Sequence, residues 1–201
     1  MAKCVLRNVT IAFVNLVKPK PVGINNDLKH SVCLLFKKDG SDEQNLKILN
    51  LTVRETAQAG LSKKWNNVAP KNYSPVKDGD GVDSNGNPYK GILVGHYFLN
   101  ASSKERPGIV DEFKVACLDE KKFYPGCKVN ISLDFYAYNA NGKKGITARI
   151  VNVMWAGDGQ RLGGDPTPEE DFADIPSATK PTAETAPQDK IDFGLDEDLP
   201  F

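Results

Sequence analysis

A mainly β protein, folded as one small β-barrel with a single helical insertion and followed by an acidic C-terminal tail, is what this sequence predicts. Three observations carry that expectation. Short segments of alternating apolar and polar residues recur between turns rich in Gly, Pro, Asn and Asp. Only one segment has a strong helical period. From Gly157 onward periodicity stops and Gly, Pro, Ala, Thr and acidic residues take over. Such a composition cannot bury enough apolar surface to offset chain entropy, so disorder is expected from about Thr167.

The first strand is expected at the start, where Val5, Val9, Ile11 and Phe13 fall at odd positions with Asn8 and Thr10 between them, and where Pro19 and Pro21 end the pattern. A second short strand is read in "SVCLLFKKDGSDE", stopped by Asp39 and Gly40. From Glu43 to about Trp65 the residues Leu46, Leu49, Val53, Ala57 and Leu61 recur at intervals of three and four, which predicts an amphipathic helix. Residues 66–91 are turn-forming and leave little to bury. Strands then return in "GILVGHYFLNAS", around Ile109 and Val110, in "EFKVAC", in "KVNISLDFYAY" and, through "NANGKKG", in "ITARIVNVMW".

The chain has 201 residues, enough for one core plus an appendage, and a formal net charge of zero that conceals a division. Residues 1–164 hold 24 of the 26 Lys and Arg but 15 of the 26 Asp and Glu, a net of +9; residues 165–201 hold 2 basic and 11 acidic residues, a net of −9. The expected organisation is a basic domain over 1–164 and a flexible acidic tail over 165–201. A basic body points to a polyanionic partner, and a tail of opposite sign to a competitor for the same surface.

"KVNISLDFYAY" supplies a candidate ligand face. Val129, Ile131, Leu133, Phe135 and Ala137 share one side of the strand; Asn130, Ser132, Asp134, Tyr136 and Tyr138 share the other. The two tyrosines stand about 6 to 7 Å apart along the strand, near the spacing of successive unstacked bases. If the hairpin turns through residues 139–146, Arg149 lies opposite Tyr136, with Lys143 and Lys144 at the turn. Flat aromatics beside cations make a stacking platform with a phosphate track; the alternative is that the tyrosines pack across strands. Val151 and Val153 share the parity of Arg149 and require cover or a bulge. Lys104 and Arg106 follow another strand, in which Tyr97 and Phe98 point to opposite faces, one of them into the core. Trp65, beside Lys63 and Lys64, either caps the helix against the barrel or stacks on a base.

Other chemistries find less support. His30 and His96 have no accompanying nucleophile and acid, and no phosphate-cradling glycine motif occurs. "DGDGVDSNG" fails as a calcium loop, because the sixth position from Asp83 is Pro88 and the twelfth is Val94. Cys4, Cys33, Cys117 and Cys127 are widely spaced and read as small apolar residues instead of zinc ligands. No enzyme activity and no cofactor are expected. Without an apolar run of about 18 residues or a secretory signal, a cytoplasmic protein with no membrane partner is expected.

The tip "DEDLPF" resembles the C-terminal tip of single-stranded DNA-binding proteins, whose acidic tails end in Asp-Ile-Pro-Phe or a close variant. "GHYFLNASSKERPGIVD" and "FYPGCKVNISLDFYAYNANGKKGITARIVNVMWAGDGQRLGG" resemble a family of tailed-phage single-stranded DNA-binding proteins with an OB-fold. The resemblance implies a non-enzymatic protein in the cytoplasm of a host bacterium that coats single strands during phage DNA replication, recombination and repair. It places Tyr136, Tyr138, Arg149, Lys104 and Arg106 on the binding face. It also implies that Asp196, Glu197, Asp198, Leu199, Pro200 and Phe201 dock on a polymerase, helicase, primase or exonuclease. Gly194 and Leu195 interrupt the run of acids usual in bacterial tails, which leaves the partner open. A homodimer is compatible with exposed barrel edges. The alternatives are a strand-annealing recombination protein, a nuclease or other DNA-processing enzyme, which would need a metal-binding carboxylate cluster that the sequence does not show, and a structural virion protein.

Overall fold

The computed structural model describes residues 2–22, 26–140 and 142–163. Its elements are β1 (Ala2–Val22), β2 (Asp27–Lys37), α1 (Glu43–Lys64), β3 (Val76–Asp78), β4 (His96–Ser103), β5 (Gly108–Val110), β6 (Lys128–Ala140) and β7 (Lys143–Gly157). The antiparallel pairs β4–β2, β2–β1, β1–β6 and β6–β7 form a curved sheet, and β4 meets β7 in parallel at Ala101 and Ala148. That last contact closes a barrel of five strands with OB-fold connectivity. β3 extends the sheet beside β4, and β5 runs parallel to β7.

Three one-residue irregularities decide which side chains enter the barrel. On β1, Cys4 and Leu6 point inward, then Val9 and Ile11, then Leu16. The inward parity switches from even to odd and back to even. The register slips between Leu6 and Val9 against β6, and between Ala12 and Asn15 against β2. Asn8 (φ 54°) and Phe13 (φ 48°) take left-handed backbone at these two places. The uniform odd alternation expected from Val5 to Phe13 therefore holds only for Val9 and Ile11; Val5 and Phe13 are exposed. On β7 the slip falls where Ser132 pairs with Asn152 but Leu133 with Ile150, leaving Val151 as the extra residue. Ile146, Ala148 and Ile150 point inward before it and Val153 after it, so the parity conflict is resolved by a bulge.

α1 packs its Leu49, Val53, Ala57 and Gly60 face on β1 and β6. Gly60 permits the approach, since a Cβ there would stand 2.6 Å from Ala137 Cβ. Lys63 and Lys64 in the last turn complement the helix dipole. Trp65 follows the helix, fully buried, and its indole Nε1 donates to Tyr138 O at 3.0 Å. It is core, which removes it from the candidate base-stacking residues.

A second apolar cluster lies on the outside of the barrel. Ala12, Cys33, Leu35 and Phe98 are buried there, covered by Tyr89, Ile92 and Leu93 from the 79–95 loop and by Leu162. Of the four thiols, Cys4, Cys33 and Cys127 are buried, and burial raises them to about 11, about 12 and about 12. They remain protonated and serve as small apolar side chains at neutral pH.

Two expected strands differ. In "GILVGHYFLNAS" the first residues form a 3-10 turn, Gly91–Leu93, and extended backbone starts at His96. In "EFKVAC" the backbone turns back, because the Asp111 carboxylate accepts from Phe113 N and Val115 N, both at 2.9 Å, leaving one bridge between Val110 and Ala116. Asp83 is likewise committed to a turn, accepting from Asn85 N and Asn87 N. The prolines do not end β1: it runs through both, Pro21 opposite Leu28 near the far end of the β1–β2 arm and Pro19 within the register shift between Asn15 and Lys20. No helix of the described residues is long and apolar enough to cross a membrane. The expected tail, 165–201, lies outside the described residues.

Candidate nucleic-acid interface

The outer faces of β2 and β4 are closed at one end and open at the other. Cys33, Leu35 and Phe98 lie under the outer cluster, whereas Lys29, Ser31, Asn100 and Ser102 continue the same face without that cover. Three adjoining depressions follow from there. The first is lined by Phe13, Asn15 and Val22 from β1, Ser31 from β2, and Asn100 and Ser102 from β4. The second takes over at Ser102 and is lined by Lys29, Lys104, Glu105, Tyr136 and Arg149. The third begins on the other side of Tyr136, between β6 and the end of α1, with Tyr138, Asn139, Lys63 and Lys64 in its walls. The first and second share Ser102 and the second and third share Tyr136, so the three adjoin in a series, the trough, from the β1 bulge to the last turn of the helix.

Alternation along β6 turns Asp134, Tyr136 and Tyr138 outward. Tyr136 is 37% exposed. Tyr138 lies over its cross-strand partner Gly145, where an added Cβ would sit 3.0 Å from the phenolic oxygen. The ring has its seat because that position lacks a side chain. Arg149 pairs across the ladder with Asp134, and its Nη2 reaches Asp134 Oδ2 at 2.6 Å. That hydrogen bond raises the guanidinium above its ordinary value, and a second carboxylate, Glu105, stands 3.9 Å away. Arg149 is thus fixed in place and largely neutralised. The mobile positive charge belongs to lysines: Lys104 is 75% exposed and only loosely paired with Asp27 at 3.8 Å, which also faces Lys29 at 3.7 Å. Exposed pairs of this kind contribute little stability and exchange readily for another anion.

The family described as "Enterobacter phage Enc34, ssDNA-binding protein" matches residues 2–184. The chain belongs to this family. It is 29% identical over 182 residues to putative protein p50 of Acyrthosiphon pisum secondary endosymbiont phage 1, covering 88% of this chain and 95% of that protein. Its fold is similar to the single-stranded DNA-binding protein of bacteriophage Enc34 in complex with ssDNA, with a TM-score of 0.67 at 22% identity over 81% of this chain and 90% of that one. Against that phage protein in a second structure the TM-score is 0.64, again at 22% identity, over 86% and 90% of the two chains.

Within this family member the residues expected at the site divide into groups. Tyr136, Tyr138, Arg149 and Lys104 come together along the trough. Lys143 and Lys144 are exposed at the start of β7, opposite Ala140 and Asn139, just beyond the trough's helix end. Arg106 is exposed but lines none of the three depressions. Tyr97 is turned toward the barrel core, half-buried, with Lys38 Nζ 4.7 Å above its ring, and so stands away from the trough. The register corrects one expectation: the hairpin is tighter than a turn through 139–146, Ala140 pairs with Lys143, and Thr147 stands opposite Tyr136 while Arg149 stands opposite Asp134. Lys29, Asn15, Ser31, Asn100 and Phe13 were absent from the expected site. For Phe13 the alternation pointed inward, and the polar residues carry no mark in sequence until β1, β2 and β4 are paired.

His30 is buried, with Nδ1 donating to Leu16 O at 2.7 Å, which gives it a structural role in the β1–β2 pairing. His96 Nδ1 lies 3.0 Å from Val94 O in a local turn.

Proposed function

We propose that this protein binds single-stranded DNA with little sequence preference, coats it during phage DNA replication, recombination and repair, and does so without enzymatic activity. The observation that carries this reading is the series of open depressions that starts on the outer face of the second and third barrel strands, with Lys29 and Lys104, and runs on to Tyr136 and Tyr138 of β6 and the lysines at the end of α1. Oligonucleotides bind OB-folds on that face and its flanking loops. Stacking on Tyr136 and Tyr138 supplies affinity that every base can use, and Lys29, Lys104, Lys63 and Lys64 supply contacts to the phosphates. Lys29 and Lys104 already face one carboxylate, Asp27, so a phosphate replaces an existing partner.

The tail has two roles in this proposal. Its net charge of −9 opposes the +9 of residues 1–164, and it competes with DNA for the basic surface. A tether holds such a competitor at an effective concentration on the order of millimolar. When DNA displaces it, Asp196, Glu197, Asp198, Leu199, Pro200 and Phe201 become available to a replication or recombination partner, the acids for a basic pocket rim and Phe201 for its apolar floor.

Removing residues 165–201 is expected to tighten single-stranded DNA binding at low salt and to abolish recruitment of the partner polymerase, helicase, primase or exonuclease. A binding titration and a pull-down on the two chains read these outcomes. Equal affinity with and without the tail would sink the competition. Annealing of complementary strands into duplex by ring-shaped oligomers would favour the recombination-protein reading over simple coating.

A further inference from the structure

We propose that the β1 bulge at Phe13 is an uncharged base-stacking subsite, with Phe13 as the platform for one unstacked nucleobase at the far end of the trough. The inference rests on the single-stranded DNA reading above and assigns a part of that surface on which neither Tyr136 nor Tyr138 lies.

Phe13 combines features that chain folding alone does not require. It has φ 48°, a left-handed backbone that a bulky side chain rarely adopts. Glycine or asparagine accommodates that conformation at much lower cost. The other left-handed bulge of β1 uses Asn8, whose N–H is satisfied by Asn130 Oδ1 at 3.0 Å. Nor does Phe13 contribute to packing, being 58% exposed and outside both apolar clusters. The bulge itself aims the ring. With Ala12 opposite Cys33 and Asn15 opposite Ser31, two β1 residues span one position of β2, and Phe13 is turned out of the barrel into the trough.

Its surroundings define the ligand chemistry. Asn15, Ser31, Asn100 and Ser102 line the same depression, and among the described residues no charged side chain does. Asn15 Nδ2 donates to Phe13 O at 3.3 Å and to Ser31 Oγ at 3.2 Å, which braces the bulge from below. An aromatic face beside amides and hydroxyls suits the flat, hydrogen-bonding body of a base. The lysines of the adjoining depression, Lys29 and Lys104, stand past Ser102 and suit the phosphates.

The test is a titration of the full chain and its Phe13→Gly, Phe13→Tyr and Lys104→Ala variants with an oligo(dT) probe at several salt concentrations, alongside thermal melts. Phe13→Gly is expected to weaken binding roughly tenfold, in line with the loss of one stacked base. Its salt slope should match that of the unaltered chain, and its melting temperature should be equal or higher because glycine relieves the backbone. Phe13→Tyr should retain affinity, and Lys104→Ala should make the slope shallower by about 0.7. If Phe13→Gly binds like the unaltered chain, the subsite is overturned while the proposed function stands. If the unaltered chain does not bind the oligonucleotide, both fall.

Discussion

Replacing Tyr136 and Tyr138 together with alanine is expected to weaken single-stranded DNA binding by roughly 30-fold or more, since each stacked base contributes about 1 to 3 kcal/mol. The fold should survive, because both rings stand on the outer side of β6 and the inner residues Leu133, Phe135 and Ala137 are untouched. Tyr136 separates two depressions of the trough, so it borders any strand that passes from Lys104 toward α1. Tyr138 rests on Gly145, which holds the ring against the sheet and limits the rotamer freedom lost on stacking. The comparison is Lys47→Ala, on the solvent face of α1, where Lys47 makes only an exposed pair with Glu43. Fluorescence anisotropy with a labelled oligonucleotide reads the difference. A double variant that binds as tightly as Lys47→Ala would place the DNA on another face.

Trp65→Ala is expected to act on stability instead, lowering it by about 3 to 5 kcal/mol. Trp65 is fully buried beyond the end of α1, and its ring lies 5.9 Å from that of Tyr73. Its loss opens a cavity beneath Gly60 and the β6 end, and leaves Tyr138 O without the indole N–H. Loss of this part-buried hydrogen bond adds to the cavity cost. Since small domains are stable by only about 5 to 15 kcal/mol, the variant should unfold at a much lower denaturant concentration, with a similar slope. Circular dichroism during urea titration measures it. A change of less than about 1 kcal/mol would contradict the core role given to this residue.

What could be read from the sequence was whatever depends on neighbours in the chain. The helix from Glu43 to Lys64 was legible because its apolar residues repeat locally, and the β6 face of Tyr136 and Tyr138 was legible because alternation there is uninterrupted. The odd alternation predicted for β1 fails because two bulges reverse its parity, and a left-handed Phe13 gives no local signal of the kind glycine gives. The partner of Arg149 depended on how tightly the β6–β7 hairpin closes, which the Ala140–Lys143 pair decides. Lys29 joins Lys104 only through the β2–β4 pairing, a contact between segments about 75 residues apart. Trp65 was ambiguous because adjacent lysines suit both a helix end and a DNA surface; the hydrogen bond to Tyr138 O decides for the core.

Salt dependence of binding reports the lysine–phosphate contacts. An oligo(dT) titration of the chain ending at Gly164, from 50 to 200 mM salt, should give a log–log slope of about −3 for four lysine–phosphate contacts, a loss of roughly 50-fold in affinity. The full chain should give a shallower slope, because salt also weakens the competing tail. Strong binding that does not change with salt, or no binding at 50 mM, would contradict a trough in which lysines hold the phosphates of a single strand.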